Sequence, residues 1–115
     1  MPTALERAAA RSVAELAEMP GVRECLQWFT REKQWINEQH LRVVRIPAPT
    51  FFEQERAAYM AERFRELDCE VHQDGAGNVI ALPRKASGDE NVVVSAHLDT
   101  VLAPRTPEEI TTDSG

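Results

Sequence analysis

Two residues near the end of the chain have the types and the spacing of a metal-binding pair. His97 and Asp99 lie two positions apart, so on an extended backbone their side chains project to the same side. A neutral imidazole is a good zinc ligand, and its ring needs an orienting hydrogen bond or packing. The pattern predicts that His97 binds a metal ion and that Asp99 orients the site or acts on a metal-bound water.

The position of this pair in the chain strengthens the prediction of a functional role. An isolated His-x-Asp triplet is often only a surface or capping pair. A continuous apolar run at residues 92–94 precedes it. Such a run is typical of an inner strand covered on both faces, and ligands of open α/β sheets bind beyond the carboxyl ends of the strands. The placement therefore favours a functional role for His97 and Asp99.

The first part of the chain has the periodicity of helices. Apolar residues recur at helical spacing over residues 3–18, and Pro20-Gly21 ends that pattern. A second pattern predicts one long helix over residues 22–44. Trp28 and Trp35 share a stripe of this helix, and large aromatics at such spacing are expected in a core or at a subunit contact.

The second half of the chain predicts one helix and one hairpin before the His97 segment. Thr50 and Glu53 fit a capping box, in which each side chain satisfies the other residue's backbone N–H, and the helix should end near Asp68. Alternation over residues 70–82, interrupted by the turn-forming residues 74–78, predicts a β-hairpin. With the inner strand at residues 92–94, the expected fold class is α/β.

Composition limits the partners of the chain. Its 115 residues suffice for one small domain, and 13 basic against 19 acidic residues give a net charge of −6. This charge disfavours nucleic acid or an anionic membrane surface as the main partner, and no apolar run reaches the length of a membrane span. Cys25 and Cys69 are far apart, so we expect reduced thiols in a cytoplasmic protein.

Three segments in this order resemble a known family. They are VVRIPAPTFFEQERAAYMAERFREL at residues 43–67, CEVHQDGAGNVIAL at residues 69–82 and VVVSAHLDTV at residues 92–101. Together they resemble the zinc-dependent exopeptidases and amidohydrolases of metallopeptidase clan MH, which include carboxypeptidase G, peptidase T, acetylornithine deacetylase and succinyl-diaminopimelate desuccinylase. The resemblance covers roughly residues 38–103.

The resemblance implies a fold, a reaction and a metal. His97 would be a zinc ligand and Asp99 the aspartate that holds the geometry of the site. The complete enzyme would hold two zinc ions, although cobalt or manganese can suit similar ligands, and would hydrolyse a terminal peptide or N-acyl amide bond. Its substrate would be a peptide or an acyl-amino acid, and a homodimer is one arrangement consistent with the resemblance.

The same resemblance implies that this chain is an incomplete piece of such a catalytic domain. Residues 1–45 would form an N-terminal helical segment, and residues 46–115 would begin the metallopeptidase domain. No histidine or cysteine follows Asp99, whereas a catalytic zinc takes three protein ligands and a water. We expect a hydrolase fragment with negligible activity and weak zinc binding of its own. A non-enzymatic interaction module or a gene remnant stays open as the alternative.

Overall fold

Four α-helices precede a two-stranded hairpin in the part of the chain that the structure describes. The structure is a computed structural model, and it describes residues 1, 3, 12–85, 88 and 90–113. The elements are α1 (Val13–Glu18), α2 (Pro20–Arg31), α3 (Lys33–Val44), α4 (Gln54–Glu66), β1 (Cys69–Gln73), β2 (Val79–Pro83) and a 3₁₀ turn (Pro107–Glu109). The chain divides into two compact units, residues 1–39 and 40–115.

Helix α1 begins and ends where its sequence provides the signals. The Ser12 hydroxyl accepts a hydrogen bond from the Glu15 backbone N–H at 3.1 Å, which satisfies one free donor of the first turn. The helix ends at Glu18, and Pro20 occupies the first position of α2, where its missing N–H is not needed. The prediction of one helix over residues 3–18 is wrong at Ser12, whose backbone is extended (φ −70°, ψ 155°) and caps α1; residues 4–11 lie outside the described part.

The helix predicted over residues 22–44 is two helices, so the prediction of a continuous element is wrong. Glu32 separates α2 from α3 with backbone angles of φ −97° and ψ 18°. Its N–H still donates to the Trp28 carbonyl at 2.9 Å. The stretch has no proline or glycine at this point, and the hydrophobic period continues across it, so the sequence carries no sign of the break.

The aromatic residues of the first unit pack on one another at its surface. The rings of Trp28 and Trp35 meet edge to face, with centroids 6.0 Å apart and planes at 72°. The Phe29 ring lies 5.3 Å from the Trp28 ring. All three side chains are exposed. Among the described residues they are therefore not core residues, and the other expectation, a subunit contact, stays a prediction.

The predicted hairpin is confirmed. Strands β1 and β2 pair antiparallel, from Cys69 opposite Pro83 to Gln73 opposite Val79. Val71 and Ala81 lie on the partly covered face of the hairpin, and the hairpin packs against α4. Helix α4 ends as predicted near Asp68, which takes the left-handed backbone conformation, with φ 58°.

The capping box predicted for Thr50 and Glu53 is not formed. Glu53 itself is the N-cap of α4, and it makes no side-chain capping hydrogen bond. The Thr50 hydroxyl donates instead to the Asp99 carboxylate. Asp99, which lies 49 positions further along the chain, therefore binds the hydroxyl group that the local pattern assigns to the start of α4.

The α/β arrangement of helices followed by a hairpin is confirmed, but the inner strand expected at residues 92–94 is not formed. Residues 91–100 carry no strand, and Val92, Val93 and Val94 are 94%, 86% and 92% exposed. An inner strand needs hydrogen-bonding neighbours on both edges. The sheet among the described residues contains β1 and β2 alone, so neither edge of that segment has a partner.

The core of the second unit is small and consists of short side chains. Ala48, Ala57 and Ala61 are buried, and Arg56 is buried with them at 2% exposure. No helix of the described residues has the length and apolar character needed to cross a membrane.

Candidate functional site

The structure brings His97, Asp99 and Thr50 together on one carboxylate. The Asp99 Oδ1 atom lies 3.1 Å from the His97 Nδ1 atom. The other oxygen, Oδ2, accepts a hydrogen bond from the Thr50 hydroxyl at 2.7 Å. The Asp99 side chain is 26% exposed, whereas the His97 side chain is 94% exposed. The carboxylate is thus held from two sides, and the imidazole extends from it into solvent.

Arg56 anchors the segment that carries this pair. Its Nη1 donates to the Leu98 carbonyl at 2.7 Å. Its Nη2 donates to the Ile46 carbonyl at 2.5 Å and, more weakly, to the Val44 carbonyl at 3.4 Å. A guanidinium presents its donors in a fixed planar fork. One buried side chain of α4 therefore ties the residue between His97 and Asp99 to the end of α3.

A backbone contact and a strained turn complete the attachment. The Thr100 N–H donates to the carbonyl of the fully buried Ala48 at 2.9 Å. Phe51, which follows Thr50, has φ 73°, a left-handed conformation that costs a residue with a side chain roughly 1–2 kcal/mol. The Phe51 N–H donates to the Glu53 carboxylate at 2.9 Å. These contacts fix the loop from which the Thr50 hydroxyl reaches Asp99.

The electrostatics of the site favour an ionised Asp99. The hydrogen bond from the Thr50 hydroxyl is the main cause that lowers the pKa of Asp99, and the hydrogen bond with His97 acts in the same direction. Burial lowers the pKa of Arg56, and the Asp99 carboxylate opposes that shift. Because an arginine stays protonated in proteins, the buried Arg56 is a fixed positive charge near Asp99.

The described residues do not complete a metal site. Within them, no group of three or more His, Cys, Asp or Glu side chains is placed to hold a metal ion, and a catalytic zinc takes three protein ligands. Both oxygens of Asp99 are already hydrogen-bonded. At this site the described residues contain one candidate ligand atom, the Nε2 atom of His97. Asp99 contacts the other ring nitrogen, as carboxylates that orient metal-binding histidines do.

The sequence pattern predicts a role for His97 and Asp99, which stays a prediction, and it does not single out the two residues that hold them, Thr50 and Arg56. It assigns Thr50 to the helix cap and leaves Arg56 as one of several charged residues on a mixed helix. Arg56 lies six residues after Thr50, the predicted cap, and between the apolar helix positions Phe52 and Met60. A charged residue in such a place is the signal that could have suggested burial. The other two histidines are exposed. They are His40 and His72, and His72 pairs with Glu70 at 3.0 Å.

One comparison with known proteins relates the chain to a hydrolase. The chain is similar to a protein of Pyrobaculum aerophilum named as a candidate LysW-lysine/LysW-ornithine hydrolase, with 42% identity over 62 residues. The matched stretch is 54% of this chain and 18% of that relative, so the chain spans less than a fifth of the relative's length. No family model matches the chain, and no solved structure matches it.

Proposed function

We propose that this chain contributes part of the catalytic centre of a metal-dependent hydrolase that cleaves a terminal peptide or N-acyl amide bond. The observation that carries the proposal is the anchored pair of His97 and Asp99, with Thr50 and Arg56 behind it. The similarity to a named hydrolase supports the reaction class. The substrate would be a peptide or an acyl-amino acid.

The geometry suggests how each side chain serves the centre. An ionised Asp99 accepts a hydrogen bond from the Nδ1–H group of His97, which selects the tautomer with a lone pair on Nε2. Thr50 occupies the second carboxylate oxygen and prevents Asp99 from rotating away. Bound there, zinc would polarise the scissile carbonyl and lower the pKa of its water. In this proposal, Asp99 and Thr50 together fix the direction in which the His97 Nε2 atom points.

The rest of the centre belongs to other residues in this proposal. A second metal ion, the further ligands and the general base would come from additional polypeptide, with residues 46–115 as the start of the catalytic domain and residues 1–45 as a helical extension. Zinc is the metal expected, with cobalt or manganese as alternatives. The free thiols of Cys25 and Cys69 support a cytoplasmic location.

A graft into the relative tests the proposal. Residues 38–103 would replace the corresponding segment of the Pyrobaculum aerophilum protein, and hydrolysis of a panel of dipeptides and N-acyl-amino acids would be measured with and without zinc. We expect the graft to retain zinc-dependent hydrolysis. We expect His97→Ala to lower kcat at least about 100-fold, a loss typical of a missing metal ligand or its support.

His72→Ala is the matched control, because His72 also pairs with a carboxylate two residues away. It should leave hydrolysis unchanged. A graft that hydrolyses equally well with His97→Ala would contradict the proposal, and so would one whose activity does not depend on added metal.

The exposed aromatic cluster of the first unit favours a second candidate function, self-association. Trp28, Phe29 and Trp35 form a contiguous exposed set, and such patches are common at protein interfaces. A homodimer formed through this face requires no metal. Sedimentation equilibrium should then show a dimer that Trp35→Ser dissociates and His97→Ala does not. A monomer at millimolar concentration would rule this function out.

A further inference from the structure

A second feature of the residues 40–115 unit is a cavity rich in arginine. Its volume is about 590 Å³, and its lining includes Arg42, Arg45, Arg63 and Arg105. Glu55 is the one carboxylate among the described residues that line the cavity, in a chain whose overall charge is −6. None of the four residues of the His97 site lines this cavity. The cavity is therefore a positively charged site, distinct from the His97 site, on a protein whose net charge is negative.

Part of this positive charge is left without a protein partner. Arg45 donates its Nε and Nη2 atoms to the Ile110 carbonyl, at 3.2 and 2.9 Å, and Arg63 pairs with Glu66. Among the described residues, the guanidinium groups of Arg42 and Arg105 form neither an ion pair nor a hydrogen bond. Each of these two groups keeps its full set of donors, which suit a carboxylate or a phosphate bidentately.

Two further donors of the lining are buried and unsatisfied. The Arg63 Nε atom and the Tyr59 hydroxyl are shielded from solvent and have no hydrogen-bond partner within the described residues. The Arg63 guanidinium lies 5.2 Å from the centre of the Tyr59 ring. A buried donor left unpaired is destabilising, and native structures seldom leave one without a ligand, ion or water.

We propose that this cavity binds a small ligand that carries an oxyanion, either a phosphate or a carboxylate group. Arg42, Arg63 and Arg105 would hold the anionic group, with the Tyr59 hydroxyl as an additional donor. Ile46, Pro47 and Pro104 supply an apolar wall for the remainder of the ligand. The binding requires neither a metal ion nor the His97 site, so it goes beyond the hydrolase function.

Titration of the isotopically labelled 115-residue chain with inorganic phosphate tests the proposal by NMR. At constant ionic strength, the Arg63 Nε–H and nearby amide signals should shift saturably, with a Kd on the order of 1–10 mM for so small an anion. A parallel titration with succinate identifies the chemistry: tighter binding of phosphate assigns a phosphate site, and tighter binding of succinate assigns a carboxylate site.

Four variants decide whether the cavity is responsible. Arg63→Gln and Arg105→Gln should each weaken binding roughly tenfold, the effect of one lost charge-assisted contact. Glu55→Gln should strengthen it several-fold. Arg65→Gln is the matched control, because Arg65 is exposed on the same helix and pairs with Glu62; it should bind like the unmodified chain.

Two results would overturn the proposal. One is the absence of a saturable shift up to about 100 mM anion, well above the expected Kd. The other is an equal loss of affinity in Arg65→Gln, which would indicate a general charge effect. Arg105 lies in an exposed loop, so Arg105→Gln still tests the cavity even if Arg63→Gln does not fold.

Discussion

Arg56 is the residue on which the position of the His97 segment depends most. Arg56 is buried, and its guanidinium donates to the carbonyls of Ile46 and Leu98. Leu98 lies between His97 and Asp99. We expect this buried charge to fix the position of the segment even where its net energy is small. Removing the guanidinium leaves the carbonyls that it binds without a partner where little water can replace it.

Arg56→Met keeps an unbranched apolar side chain, although a shorter one, and removes all of its donors. We expect it to lower the free energy of unfolding by about 2–4 kcal/mol, because the part-buried carbonyls of Leu98 and Ile46 lose their partner. Urea denaturation followed by circular dichroism measures this loss. Arg65→Met, on the exposed side of the same helix, should change the free energy by no more than about 0.5 kcal/mol. Equal losses in both variants would show that Arg56 is not an anchor.

At this scale the sequence predicts a candidate site but not the residues that support it. The types and the spacing of His97 and Asp99 single them out as candidates, and the structure shows that the two side chains meet. Thr50 and Arg56 cannot be found in this way, because their partners lie 49 and 42 positions away along the chain. A capping box is a pattern of residues that are close in sequence. It therefore assigns the Thr50 hydroxyl to the start of α4, although the distant Asp99 carboxylate binds that hydroxyl in the structure.

At the scale of elements, the hairpin depends on Asp74. One oxygen of its carboxylate accepts hydrogen bonds from the Ala76 and Asn78 N–H groups, at 3.0 and 2.9 Å, and the other accepts from the Asn78 side-chain amide at 2.8 Å. Gly77 has φ 89°, which a glycine adopts without strain. This short loop sets the register of β1 and β2.

The carboxylate of Asp74 makes the hairpin sensitive to acid. The Asn78 side-chain hydrogen bond is the main cause that lowers the pKa of Asp74. Because the folded pKa lies below the unfolded one, the stabilisation is complete above the ordinary carboxyl pKa and is lost as pH falls through the lowered value. NMR titration of the Asp74 carboxyl should give a midpoint below that of an aspartate in a short peptide, and Asn78→Ala should raise it. A midpoint that Asn78→Ala leaves unchanged would show that this hydrogen bond is not the cause.

The elements that the sequence predicts well are those with local causes. The hairpin follows from alternation and from the turn residues 74–78, both of which are encoded within a few positions. The break at Glu32 has no local marker, so the pattern joins α2 to α3. The expected strand at residues 92–94 needs neighbouring strands, and a run of three valines cannot supply them.

For the whole molecule, the main feature is how much apolar surface stays uncovered. The core consists chiefly of alanines, while residues 92–94 and the aromatic cluster are open to solvent. Exposed segments with high β-propensity and little charge are sites of intermolecular pairing. We therefore expect the chain to self-associate slowly through residues 92–94 on storage.

Val93→Lys should slow that aggregation several-fold, because it places a charge in the exposed apolar run. It should change the free energy of unfolding by less than about 0.5 kcal/mol, since Val93 makes no buried contact to lose. Light scattering over time and urea denaturation give the two values. Ser95→Lys adds the same charge and removes no valine, so it should be less effective. Equal protection by both variants would attribute the effect to net charge alone.

The central claim is that His97 is a metal-binding position held in place by Asp99, and zinc titration of the three histidines by NMR tests it most directly. All three are exposed, and His72 also has a carboxylate partner, so exposure and pairing alone cannot distinguish them. We expect the His97 ring signals to shift at the lowest zinc concentration, and we expect Thr50→Val to remove this preference. If His72 or His40 binds zinc before His97 does, the claim is contradicted.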